Sequence, residues 1–154
     1  MASFMYPKGL QDLLGDAVAA NATANLGAAR SAATFKLALV QGSYGELKSH
    51  NFFSEVGSTV LSVTNYSAKT VVPTITANTT SGSEGIEITI PDQTWTALGT
   101  GQTIHGAILY RDTGSGTTSP LIAFFDVANT STNGGDVTLD FATAAAGGNV
   151  KVTV

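Results

Sequence analysis

The sequence predicts an all-β fold, a β-sandwich or distorted barrel of about eight short strands with a short N-terminal helix and an Ala-rich arm. Three observations carry that prediction. Only 12% of the 154 residues are charged, whereas 35 are Ser or Thr and 17 are Gly. β-Branched Thr suits a half-buried pleated surface, and Gly supplies tight connections between strands. Apolar residues also alternate with a period of two, most cleanly where Ile86, Ile88 and Ile90 oppose Glu87 and Thr89, and where Val150, Val152 and Val154 oppose Lys151 and Thr153. Finally, GAILYRDTGSGTTSPLIAFFD, residues 106–126, sets two nearly continuous apolar runs around a loop of turn residues.

That last stretch reads as a β-hairpin at the centre of a sheet. On its first arm Ile108 and Tyr110 oppose Leu109. On the second arm strict alternation groups Leu121 with Phe125 and Ile122 with Phe124, so both faces are apolar and both require cover. In the loop, Asp112 is positioned to cap its own turn, Gly114 and Gly116 permit positive φ, and Pro120 opens the second arm without needing a ladder hydrogen bond.

In chain order, Phe4, Met5 and Tyr6 precede a helix expected over residues 7–14, with Pro7 in its first turn, Leu10, Leu13 and Leu14 on one stripe, and Gly15 at its end. From Ala17 to Ala33 the chain is Ala-rich with too few large apolar residues to anchor a helix firmly. It reads as an arm or linker that packs on its own domain or lies across a neighbouring subunit. Strands are expected over 34–40, 59–65, 69–77, 85–90, 104–111, 120–126, 135–141 and 149–154. Pro73 suggests an edge position for its run, and Asn133, Gly134 and Gly135 form a turn. The organisation expected is a helix and arm over 1–33 and a β domain over 34–154.

A chain of this length supports one domain, burying roughly 70% of the surface of its unfolded form. The net charge is −4 and the few Lys and Arg are scattered, which argues against nucleic acid as a partner. With no Cys, neither a disulfide framework nor a thiolate metal site is available. No apolar run reaches the roughly 18 residues needed to span a bilayer, so no membrane partner is expected. The start MASFMYPKGLQDLL lacks the basic and long apolar regions of a signal peptide, so synthesis in the cytoplasm is the expectation.

The residues carry little chemistry. His50 and His105 are the two histidines, and neither sits with a nucleophile and an orienting group. An enzyme is therefore not expected, nor a cofactor. Asp126, Asp136 and Asp140 would approach one another if their strands paired, but their spacing matches no calcium loop and solvated carboxylates are the default reading. DTGSGTTSP lacks the Lys and the following helix of a phosphate-binding loop and reads as a turn. Asn21, Asn65, Asn78 and Asn129 each open an Asn-x-Ser/Thr triplet, as expected by chance in so Thr-rich a chain. Phe52, Phe53 and Trp95 suit either core packing or a subunit interface.

On these residues the chain resembles a family of small virion structural proteins of tailed bacteriophages and prophages. The likeness runs from Phe4 and Tyr6 with the helix Leu10–Leu14, through an "IKVALV"-like strand at Thr34–Val40 and an "H-x-FLSDV"-like segment at His50–Val56, to a Trp-containing stretch at Asp92–Ala97. Its most specific part is the hairpin Ile108–Asp126, followed by the "NGGdvtl"-like Asn133–Leu139. Residues 17–33 look like an insertion, and over 57–90 the likeness is only one of strand type.

The resemblance implies an architectural part of a phage particle and transfers no active-site motif. The leading expectation is a capsid cement or decoration protein on the virion surface. It would oligomerise, as a trimer, and bind the major capsid protein across subunit junctions. A tail or neck component is the alternative, and a carbohydrate-binding adhesin would need an exposed aromatic platform. Phe4, Met5, Tyr6, Phe52, Phe53 and Trp95 are the candidate partner contacts.

Overall fold

The computed structural model describes residues 3–12, 33–45, 47–78, 85–141 and 150–153, with side chains placed except at 75–87 and 150–153. Among the described residues ten strands form three antiparallel sheets, an all-β, sandwich-like arrangement. The main sheet has the order β1-β8-β7-β2-β3, from β1 (Phe4–Met5), β8 (Leu121–Ser131), β7 (Thr103–Asp112), β2 (Thr34–Gln41) and β3 (Lys69–Val71). A second sheet has the order β10-β5-β4, from β10 (Val150–Thr153), β5 (Gly85–Thr89) and β4 (Thr74–Asn78). A two-stranded ribbon pairs β6 (Gln93–Trp95) with β9 (Val137–Leu139).

The β7–β8 hairpin lies at the heart of the main sheet, and its apolar residues are buried on both faces as the sequence requires. On one face Phe35, Leu37, Leu39, Leu109, Ile122 and Phe125 pack against Ile88, Ile90, Trp95, Leu98, Leu139 and Phe141, which come from the other strands and their flanks. On the other face Ala38, Val40, Ile108, Tyr110, Leu121 and Phe124 pack against Tyr6, Tyr44 and Val56. Among the described residues no sheet lies above the second face. The 3₁₀ turns Phe53–Glu55 and Gly57–Thr59 and the irregular chain around them cover it.

Strict alternation misassigns the second arm of the hairpin. Tyr110 pairs with Leu121 but Leu109 pairs with Ala123, so β8 holds one extra residue there. This bulge reverses parity. Leu121 therefore joins Phe124 on one face, while Ile122 joins Phe125 on the other. Close approach also fixes Gly106, where a Cβ would meet the Phe124 ring at 2.4 Å and the Phe125 carbonyl oxygen at 2.9 Å.

Other boundaries move for local reasons. Residues 59–65 form no strand. Instead Leu61 N–H donates to the Leu39 carbonyl (2.9 Å), Val60 bridges Val40, and the Tyr66 hydroxyl accepts from Leu39 N–H (2.8 Å). The stretch of β2 beyond its pairing with β3 is thus satisfied without a ladder, and burial raises the Tyr66 phenol well above its ordinary pKa. The run 69–77 is two strands in two sheets, β3 and β4, with Val72 and Pro73 at the crossing. Pro73 therefore marks a change of sheet, and the expected edge position holds on both sides of it, since among the described residues β3 and β4 each stand at the end of their sheet.

The N-terminal segment is built into the domain. Phe4 pairs with Phe124 and Met5 with Ala123, making a strand the sequence reading missed. A helix follows over residues 7–12, and a Cβ on Gly9 would lie 2.3 Å from the Leu121 carbonyl oxygen, so the helix seats directly on the start of β8. Arg111 holds it there through Asp12 (2.6 Å). Hence residues 3–12 are not separate from the β domain, while the arm at 17–33, apart from Ala33, lies outside the described residues.

Candidate functional site

Two segments far apart in sequence lock together at one end of the main sheet. Phe53 N–H donates to the Ser119 carbonyl (2.9 Å), Ser54 N–H to that of Gly116 (3.0 Å), and Leu121 N–H to that of Asn51 (2.9 Å). Phe52 bridges Pro120, and the Phe53 ring stacks on Tyr110 with centroids 4.1 Å apart. Burial and the neighbouring Asp112 push the Tyr110 phenol up to about 12. The hairpin loop is tied from within as well. Asp112 accepts from Gly114 N–H (3.0 Å), Ser119 Oγ accepts from Thr113 N–H (3.1 Å) and donates to the Ser115 carbonyl (2.8 Å), and the Thr113 and Thr118 hydroxyls meet at 2.6 Å.

Asp112 thus caps its turn as expected, and Gly114 adopts φ +85°. Gly116 does not take a positive φ; its carbonyl is instead needed to receive Ser54. Lys36 contacts Asp112 at 2.6 Å, and this hydrogen bond, with that from Gly114, holds the carboxyl below its ordinary pKa. The hydrogen bonds of this loop run within it, to its cover and to Lys36, which is the bonding of a scaffold.

The candidate partner contacts separate by burial. Tyr6 (0%) and Trp95 (1%) present almost no surface. Tyr6 donates or accepts at the Tyr44 hydroxyl (2.5 Å), and Trp95 Nε1 donates to the Ser67 carbonyl (2.8 Å). Neither side chain can reach a partner from this conformation, so core packing is the role seen for both. Phe4, Met5, Phe52 and Phe53 remain half-buried. Among the described residues no aromatic side chain is fully exposed, and the exposed large apolar residues are Leu47 and Val72.

A second region escaped the sequence reading because it joins three loops. Gly99 N–H donates to the Thr64 carbonyl (2.9 Å), Asn65 Nδ2 to that of Ala97 (3.0 Å), Leu98 N–H to that of Gly135 (3.0 Å), and Asp136 accepts from Ala97 N–H (2.8 Å). Asn65 and Ala97 both adopt positive φ, 62° and 48°. For Ala this costs on the order of 1–3 kcal/mol and persists because the surrounding bonds overdetermine it. The expected turn is present beside it, with Gly134 at φ +89° and Gly135 N–H donating to Asn133 Oδ1 (3.0 Å).

Strand pairing does not join Asp126, Asp136 and Asp140, because β8 and β9 are not paired. All three line one cavity of about 460 Å³ between those strands, with Phe125, Leu139 and Phe141 among its walls. Among the described residues no three His, Asp or Glu side chains converge closely enough to hold a metal ion. His105 Nδ1 lies 2.9 Å from Asn129 Oδ1, and His50 lies beside the Tyr44 ring. Comparison with protein-family models, curated proteins and solved structures finds no match for this chain.

Proposed function

We propose that this chain is a structural protein of a bacteriophage particle, a capsid cement or decoration protein that binds the major capsid protein from the outer surface as a homo-oligomer, a trimer. One observation carries the reading. Two parts of the resemblance, the segment 50–56 and its most specific hairpin 108–126, are bonded to each other by backbone hydrogen bonds, an isolated bridge and a ring stack. The two segments that carry the resemblance therefore form one structural unit, which supports the reading. Loops tied across 62–66, 96–102 and 132–136 supply a rigid surface at low ordering cost on association.

The mechanism is linkage. A protein that binds the assembled shell and not its separated subunits stabilises the assembled state by mass action, and many copies multiply a modest energy per site. The test is the virion itself: copy number of this chain in purified particles, and survival on heating of particles with and without it. A copy number comparable to that of the shell protein, with earlier rupture of depleted particles, is expected. A minor stoichiometry with unchanged rupture assigns the chain to tail or neck and overturns the cement reading.

A further inference from the structure

We infer that Asn133 is a site of spontaneous covalent modification: its side-chain amide is lost through a cyclic imide formed with the Gly134 nitrogen, and the isoaspartate that results unfastens the three-loop cluster around Ala97. The chemistry does not depend on the function proposed above.

The sequence contains one Asn-Gly pair, Asn133–Gly134. In this reaction the nucleophile is the backbone nitrogen of the residue after Asn, and a side chain on that residue obstructs its approach to Cγ. Gly134 has none, and it sits at φ +89° in an exposed turn. The amide is held ready by the turn itself. Asn133 Oδ1 accepts from Gly135 N–H (3.0 Å), which folds the side chain back along the peptide whose nitrogen attacks it. The same hydrogen bond draws charge towards Oδ1, the atom that becomes an oxyanion when that nitrogen adds to Cγ. Among the described residues nothing accepts from Gly134 N–H or from Asn133 Nδ2, and both residues are exposed, so solvent reaches the proton that must leave and the amine that departs.

The steps balance with water as the only co-reactant. A solvent base takes the Gly134 amide proton, the nitrogen bonds to Cγ, and the Cγ–Nδ2 bond breaks to release ammonia. Water then opens the imide. Attack at Cγ restores the ordinary backbone and leaves aspartate, whereas attack at the Asn133 backbone carbonyl leaves the chain running through Cγ as isoaspartate. Either product makes the net charge one unit more negative than −4. Asn51, Asn65 and Asn129 lack this combination. Asn51 Nδ2 donates to the Ser49 carbonyl (3.0 Å), Asn65 Nδ2 to that of Ala97 (3.0 Å), and Asn129 Oδ1 lies 2.9 Å from His105 Nδ1. Each is followed by a residue with a side chain, Phe52, Tyr66 or Thr130.

The two products act differently on the loops. On one side of the pair, Thr132 N–H donates to the Gln102 carbonyl (2.8 Å) and Gln102 N–H to Thr132 Oγ1 (3.2 Å). On the other, Leu98 N–H donates to the Gly135 carbonyl (3.0 Å) and Ala97 N–H to Asp136 (2.8 Å). Asn133 and Gly134 thus span two anchors. Aspartate keeps the backbone and still offers Gly135 N–H an oxygen, so both anchors hold. Isoaspartate adds a methylene to the backbone between them and turns Cγ into a peptide carbonyl, so their spacing is lost.

The test ages the whole chain at mildly alkaline pH, beside a free peptide of residues 130–137, and maps both by a digestion that separates aspartate from isoaspartate. Asn133 should convert at least as fast in the folded chain as in the peptide, while Asn51, Asn65 and Asn129 keep their amides. The isoaspartate fraction should lose hydrogen-exchange protection at Ala97 and Leu98, and Asn133→Asp, which carries the charge on an ordinary backbone, should retain it. Slower conversion than in the peptide, or loss of all four amides alike, overturns the site. Equal protection of Ala97 and Leu98 in the isoaspartate form and in Asn133→Asp overturns the unfastening.

Discussion

One face of the main sheet is covered by strands, the other by chain with almost no regular structure, yet both are dry. The strand-covered face is closed by aliphatic and aromatic bulk, Leu37, Leu39, Leu109 and Ile122 against Ile88, Ile90 and Trp95. The loop-covered face is closed by fewer, larger rings, with Phe124 touching Phe4 (5.3 Å) and Tyr44 (5.6 Å) between ring centroids, and by hydrogen bonds from the backbone of 51–54. A sheet lid satisfies its own polar groups through its ladder, whereas an irregular lid must find a partner for each one. The loop-covered face therefore depends on particular residues, and the strand-covered face on summed area.

The strongest way to break this contrast is to remove one large side chain from each face. Leu109→Ala should cost about 2–5 kcal/mol and Phe124→Ala about 3–5 kcal/mol, measured by denaturant unfolding. The informative difference lies in hydrogen exchange. Phe124→Ala should raise exchange across 50–60 well beyond the rest of the domain, whereas Leu109→Ala should lower protection everywhere alike. Identical exchange patterns would mean that the two lids are equally autonomous.

A gentler change sharpens the same contrast. The Tyr6 and Tyr44 hydroxyls pair at 2.5 Å inside the loop-covered face. Tyr44→Phe retains the ring and removes this one hydrogen bond, so about 1 kcal/mol should be lost. Thermal unfolding of Tyr6→Phe, Tyr44→Phe and the double variant forms a cycle that isolates the pair. An additive cycle would show that the rings alone hold this face.

The contrast also explains which parts were legible in the sequence. β2, β5, β7 and β8 announce themselves because a two-sided or alternating apolar pattern has no cheaper structural solution. The burial of Ile108, Leu109, Tyr110, Phe124 and Phe125 follows from that pattern alone. The parity of Leu121 and Ile122 does not, because a bulge is decided by what packs above it. Residues 59–65 have strand-like composition but satisfy β2 through Leu61 and the distant Tyr66 hydroxyl, a contact no local window contains. For the site, the aspartates were read as solvated carboxylates; Asp136 and Asp140 are exposed, and all three line one cavity although β8 and β9 are not paired.

The smallest expected effect tests the irregular lid at a charged fastening, Glu55. Glu55 accepts from the backbone N–H groups of Asn51 (2.6 Å) and Phe52 (2.7 Å), holding the start of its 3₁₀ turn. These bonds, chiefly that from Phe52, lower its pKa from the ordinary 4.5, with His50 adding a smaller push in the same direction. A carboxyl with a lowered folded pKa contributes stability that is complete above its unfolded pKa and is lost as pH falls through the folded value. Glu55→Gln should therefore melt slightly below wild type at pH 7, and the gap should close progressively as the pH drops below 4.5. The side chain is almost wholly solvated, so the difference will be small and will shrink in salt only to the extent that His50 contributes. A gap that stays constant from pH 7 to pH 3 would show that Glu55 fastens the lid by shape and not by its charge.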